Sequence, residues 1–123
     1  MKKTSTILII LMTAFIFSCK EFSKTDYSTS DTKVYLMLTP NTTASELRKI
    51  AVEFKQKRNI DVDFLQSDFN GNGKIKNLVL KVNTNDGFSG EARISSAGLK
   101  MKSFGFIRDY AKDAKQKFSI GTL

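Results

Sequence analysis

The chain has 123 residues, 20 of them Lys or Arg against 12 Asp or Glu, for a net charge of +8, with no His, no Trp and one Cys. A lone cysteine forms no intrachain disulfide, and the absence of histidine removes the side chain most used for acid-base work and zinc binding. The basic residues are spread along the chain rather than clustered, which fits a solvated surface and argues against a nucleic-acid partner.

Residues 1–18 read as a secretory signal peptide: Lys2 and Lys3, an apolar run from Ile7 to Phe17, and the small Ser18 before Cys19. That run is too short to cross a bilayer, which takes about 20 apolar residues, and the polar segment after it cannot extend it. Ile16-Phe17-Ser18-Cys19 resembles the bacterial lipobox, departing from it in the size of Phe17. The resemblance implies cleavage between Ser18 and Cys19, acylation of Cys19, and export to a bacterial membrane, outer or cytoplasmic. Several acyl chains on one residue anchor stably, because each buried methylene contributes about 0.8 kcal/mol. Loss of Lys2 and Lys3 lowers the basic count from 20 to 18. Residues 19–33, rich in Ser, Thr, Lys and Asp, read as a flexible lipid-anchored tether. About 90 residues remain, enough for one small core.

Lys33 to Thr39 alternates as a strand, with Val34, Leu36 and Leu38 on one side, and Pro40 ends it. Thr43-Ala44-Ser45-Glu46 fits a capping box, so a helix starts here, with Leu47, Ile50, Ala51 and Phe54 forming its apolar stripe. Arg48, Lys49, Lys55 and Lys57 fall largely off that stripe and face water, and Asn59 suits the left-handed residue that ends a helix. Ile60, Val62 and Phe64 then alternate with Asp61, Asp63 and Leu65, the period of a half-buried strand. Asp61 and Asp63 share a face, yet nothing in the sequence buries either or separates their proton affinities, as acid-base catalysis requires.

"DFNGNGKIKNLV" places Asp68, Asn70, Asn72, Gly73 and Ile75 at positions one, three, five, six and eight of a calcium loop. Position twelve is Val79 where a bidentate glutamate belongs, and position nine is Lys76. The flanks have strand rather than helix periodicity, so the segment reads as a hairpin turn built on Asn70-Gly71 and Asn72-Gly73, and no metal is expected. Leu78, Leu80 and Val82 give the next strand; Phe88, Ala92 and Ile94, opposite Glu91 and Arg93, give another. Asp86-Gly87 is a hairpin signal between them. From Ile107, the spacing of Tyr110, Ala111, Ala114 and Phe118, with Asp113 and Lys117 as an i, i+4 pair, predicts a C-terminal helix that packs on the domain or stays loose. Phe104, Phe106, Tyr110 and Phe118 belong to the core, or else form an exposed patch.

The expected fold is therefore α+β: a small, mostly antiparallel sheet of about four strands with one helix on one face over residues 34–106, and a helix or tail over 107–123. Roughly Val34 to Ile107 resembles a repeated module at the exported C-terminal end of BlaR-type membrane metallopeptidases. The likeness lies in the threonine-capped helix, the strand "IDVDF", the Asn/Gly turn before "GKI", and a paired strand ending in Ser and Gly. Asn59 replaces a usual glycine, and with no His there is no HExxH, so peptidase activity does not carry over. The resemblance implies an exported recognition module. The expected function is a lipid-anchored cell-envelope protein with a non-catalytic interaction module and no cofactor. Its partners would be the membrane through the lipid, and an envelope protein or an anionic envelope polymer. The competing readings are a structural or stress-related lipoprotein without a dedicated ligand, and a small hydrolase built from dispersed Ser, Asp, Glu, Lys and Tyr.

Overall fold

A computed structural model describes residues 25–123. The signal peptide, Ser18 and Cys19 lie outside the described residues. The elements in order are β1 (Asp26–Thr29), β2 (Lys33–Leu38), α1 (Ala44–Arg58), β3 (Asp61–Asp63), β4 (Asp68–Phe69), β5 (Ile75–Asn83), β6 (Ser89–Ser95), α2 (Ser96–Met101), β7 (Phe104–Asp109) and β8 (Phe118–Thr122). The fold is α+β.

Helix α1 forms where its caps specify. The Thr43 hydroxyl accepts from the Glu46 amide at 3.2 Å, and Glu46 Oε1 accepts from the Thr43 amide at 3.3 Å. Two amides with no partner inside the helix are thereby satisfied. At the other end Asn59 takes φ 54°, ψ 40°, and Lys55, Lys57 and Arg58 occupy the last turn, where the helix dipole favours cations. Leu47, Ile50 and Phe54 are buried on one stripe.

The strands make two antiparallel sheets. One has the order β1-β2-β7-β8. In the other, β5 is central: β6 pairs along one edge, and β3 and β4 lie one after the other along the opposite edge. Helix α1 packs against both β1 and β3, while β6 meets β8. The elements thus close into a ring around one core, in which Val34, Leu36, Phe104 and Phe106 face Phe54, Ile60, Leu78 and Leu80. Phe54 touches Phe106 edge-on at 5.4 Å and Tyr27 at 6.0 Å.

Three expectations are corrected. Tethering does not extend to residue 33: Asp26–Thr29 pair with Val34–Met37, and Thr25 is buried. The polar side chains of β1 concealed an edge strand, whose one aromatic, Tyr27, meets Phe54 of α1 edge-on while staying partly in water. No helix spans 107–123: Ile107 is in β7, Tyr110 to Lys117 form a loop, and Phe118 starts β8, paired with Arg108. The apolar residues there serve a strand, a loop and another strand, and their helical spacing is incidental. Strands β1, β7 and β8 therefore add, with β2, a whole second sheet to the single one expected. Phe104 and Phe106 are core, with Tyr110 and Phe118 packed against it.

Arg108 joins the sheets. It lies opposite Val34 on the interior face and is 9% exposed. Its guanidinium donates to Asp86 Oδ2 at 2.8 and 3.1 Å, and to the carbonyls of Asp109 and Lys117 at 2.6 and 3.2 Å. It also sits over the rings of Phe88 and Tyr110, at 4.7 and 4.4 Å. Asp86 additionally accepts from the Thr84 hydroxyl. Hydrogen bonding from Arg108 first, and from Thr84 among lesser causes, holds the Asp86 carboxyl below the usual carboxylate range against a smaller opposing effect of burial.

Because the folded Asp86 pKa is depressed, its contribution to stability is complete above the unfolded value and is lost as pH falls through the folded one. Asp86→Asn should cost about 1–2 kcal/mol at neutral pH by urea denaturation, at the low end for a charged hydrogen bond because Asp86 is partly exposed, and the gap to wild type should shrink below about pH 4. At Gly105 an added Cβ would lie 1.7 Å from the Leu36 carbonyl oxygen, whereas at Gly90 it would meet the end of the Ile120 side chain at 2.7 Å. Gly105→Ala should therefore abolish most of the stability, and Gly90→Ala should cost about 1–3 kcal/mol as Ile120 shifts.

Candidate functional site

The left-handed Asn59 reverses the chain so that β3 runs back along α1. Asn85 pins this corner, its side-chain amide donating to the Asn59 carbonyl at 2.7 Å and to Asp61 Oδ2 at 3.0 Å. Lys55 Nζ lies 2.8 Å from Asp61 Oδ1. Asp63 Oδ1 accepts from the Leu65 amide at 2.8 Å, a local turn that stops β3 after three residues and throws Leu65 outward.

Between α1 and β3 this leaves an open groove of about 460 Å³. Its walls are Ala51, Val52, Ile60, Val62, Phe64 and Leu65, and its rim is Lys55, Asp61 and Asp63. Val52 is 54% and Leu65 89% exposed, so two large apolar side chains meet water at its mouth. Past the two aspartates lies a polar cleft of about 520 Å³ lined by Lys81, Asn83, Ser89 and Glu91. Lys81 stands directly between Asp63 and Glu91 in the register, 3.7 Å from the Glu91 carboxylate, and Arg93 approaches Glu91 at 3.4 Å.

Chemically, the arrangement suits contact more than turnover. Asp61 and Asp63 share an exposed face, as the alternation implies. The Lys55 hydrogen bond, and then that of Asn85, hold the Asp61 carboxyl below its usual range. At neutral pH Asp61 is an ionised partner of Lys55 and has no proton to donate. Neither Val52 nor Leu65 stands out in the sequence as a functional residue. The available signal was Leu65 standing in phase with two aspartates, an apolar residue on a polar face.

The calcium-like segment forms the β4–β5 turn. Asp68 pairs with Asn77 in the ladder, the Asn70 amide donates to the Lys74 carbonyl at 2.8 Å, and Asn72 Oδ1 accepts from the Lys74 amide at 3.1 Å. The side-chain oxygen that would serve an ion thus serves the turn. Among the described residues no three His, Cys, Asp or Glu side chains gather as a metal site, and no helix is long and apolar enough to cross a membrane.

Comparison of the chain with protein-family models, curated proteins and solved structures finds no match.

Calcium at millimolar concentration should leave the melting temperature of wild type unchanged, and likewise that of Asp68→Ala, as read by thermal denaturation. A rise of several degrees lost in Asp68→Ala would establish a site, since only a ligand of the folded state stabilises by mass action.

Proposed function

We propose that the chain is a lipid-anchored protein of the bacterial cell envelope whose small domain binds, without catalysis, an extended apolar segment of another envelope protein in the α1–β3 groove. The observation that carries this reading is the pair Val52 and Leu65, exposed at the mouth of an apolar groove whose rim charges already have partners, Lys55 with Asp61 and Asp63 with the Leu65 amide. Apolar side chains left in water favour a partner that covers them, by about 1.5–3 kcal/mol for each one fully buried. The rim, being paired, contributes selectivity more than affinity.

Support for the anchor is sequence alone: Lys2 and Lys3, the apolar run, and the lipobox-like Ile16-Phe17-Ser18-Cys19. The resemblance of Val34–Ile107 to the exported module of BlaR-type peptidases supports a recognition role over a catalytic one. Acylation of Cys19 would hold the groove at a membrane, where partners are confined to a thin layer and modest affinity suffices.

The test is crosslinking of the intact protein in its native envelope, with captured species identified by mass spectrometry. One protein should be captured by wild type, lost with Cys19→Ala, and reduced roughly tenfold or more by Leu65→Asp, consistent with the loss of one buried side chain. Leu65 is so exposed that this substitution should change folding stability by no more than about 0.5 kcal/mol. Capture of polysaccharide or lipid alone, insensitive to Leu65→Asp, would replace the protein-segment reading with an anionic envelope polymer.

A further inference from the structure

Thr25, from which the chain runs back to Cys19, lies at one end of the ring, and that end has a distinctive surface. Thr25 is buried, its hydroxyl sharing a 2.7 Å hydrogen bond with that of the fully buried Thr42. Thr42 also accepts from the Thr39 amide at 3.0 Å, so the turn after β2 clasps the incoming chain. Only residues 20–24 lie between Cys19 and Thr25. Even fully extended, that stretch spans no more than about 20 Å.

Helix α2 closes the same end. Its N-cap Ser95 accepts from the Gly98 amide, and Leu99 turns into the core at 5% exposure. Lys100, Met101 and Lys102 face outward, Met101 with 82% of its surface exposed. Phe104, just after them, pairs with Leu38 immediately before the turn that holds Thr25. Lys74, in the turn before β5, bridges to Thr43 beside that turn. Of the nearby acids, Glu46 caps α1 and Asp26 accepts from the Tyr35 hydroxyl at 3.1 Å, leaving Asp68 exposed on β4. No carboxylate among the described residues pairs with Lys74, Lys100 or Lys102.

We infer that this end, through Lys74, Lys100, Lys102 and Met101, docks on the anionic headgroups of the bilayer that carries the anchor. The inference rests on acylation of Cys19. The acyl chain brings this end within reach of the surface, where each lysine adds about fivefold to binding at an anionic membrane and Met101 enters the apolar boundary. The opposite end, where Arg108 gathers Asp86 and the loop bearing Lys112, Lys115 and Lys117, and where Tyr110 and Arg58 lead on to Asp31, points away.

Acylation blocks the only native thiol, so a second cysteine gives a site-selective probe. The full acylated chain carrying Met101→Cys or, as control, Lys115→Cys is labelled with a fluorophore and placed in phosphatidylethanolamine–phosphatidylglycerol vesicles that contain nitroxide-labelled lipid. One label per chain reports an acylated Cys19. Expected is quenching about threefold stronger at position 101 than at 115, falling toward the control value when Lys74, Lys100 and Lys102 are all changed to Glu, or when phosphatidylcholine replaces the anionic lipid. One label per chain with equal quenching at both positions would overturn the docking and leave the anchor standing. Two labels per chain would show a free Cys19 and remove both.

Discussion

The fold turns on one buried guanidinium. Arg108 occupies an interior position of β7 opposite Val34, where strand alternation calls for an apolar side chain, and a charge there is tolerated only with a complete set of partners. The partners come from three places: Asp86 from the β5–β6 turn, the carbonyls of Asp109 and Lys117 from the two ends of the loop before β8, and the rings of Phe88 and Tyr110. One side chain therefore sets where a hairpin of one sheet and a loop of the other must lie. The Tyr110 ring also meets the Arg58 guanidinium at 4.7 Å, and Arg58 pairs with Asp31 at 3.1 Å, which carries the same network to the end of α1 and the β1–β2 turn.

That closure determines where the surface stays open. Around most of the ring, neighbouring elements are joined by a full ladder or by close packing, as at Gly90, where the missing side chain admits Ile120 and Phe118. Along β3 the cover is incomplete, because Asp63 bonds to the Leu65 amide and ends the strand after three residues while α1 runs for fifteen. Beside so short a strand, α1 is left with Val52 in water. The groove is thus a by-product of a turn, and its apolar character is inherited from a core that the turn leaves partly uncovered.

What the sequence made legible were the features that local chemistry decides. The capping box of Thr43 and Glu46 and the left-handed Asn59 appear with the expected geometry, Ile60 to Leu65 alternates in burial although the ladder keeps only Asp61–Asp63, and Asn70 to Gly73 makes the turn with Gly73 alone at positive φ; each expresses a short-range rule. What escaped were the features that distant partners decide. Strand β1 is polar and becomes a strand only because β2 and α1 supply an edge and an aromatic contact. The pattern Phe104, Phe106, Arg108 is a clean inward alternation, but an arginine at its third position reads as an exit from the core until Asp86 is known to be there. At the groove, alternation puts Leu65 in phase with Asp61 and Asp63, while its near-complete exposure follows from the turn that ends β3.

The short approach to Thr25 also bears on what the groove could bind. A tether through residue 33 would let the domain range far from a bilayer, whereas a chain pinned at Thr25 keeps it close. Helix α1 rises from the pinned end, where Thr43 neighbours Thr42, and the groove begins at Ala51, about 10 Å along an axis that advances 1.5 Å per residue. With Cys19 acylated and the pinned end on the headgroups, the groove would open sideways, beginning about 10 Å above them. A bulky partner descending from solution would meet the far end, with its loop and Arg108 network, before it met the groove. An extended segment running along the membrane surface, such as the juxtamembrane part of another anchored protein, would approach the groove from the side, where Lys55 and Asp61 are already paired and Asp63 already accepts from the Leu65 amide, which lowers the cost of removing water from the rim.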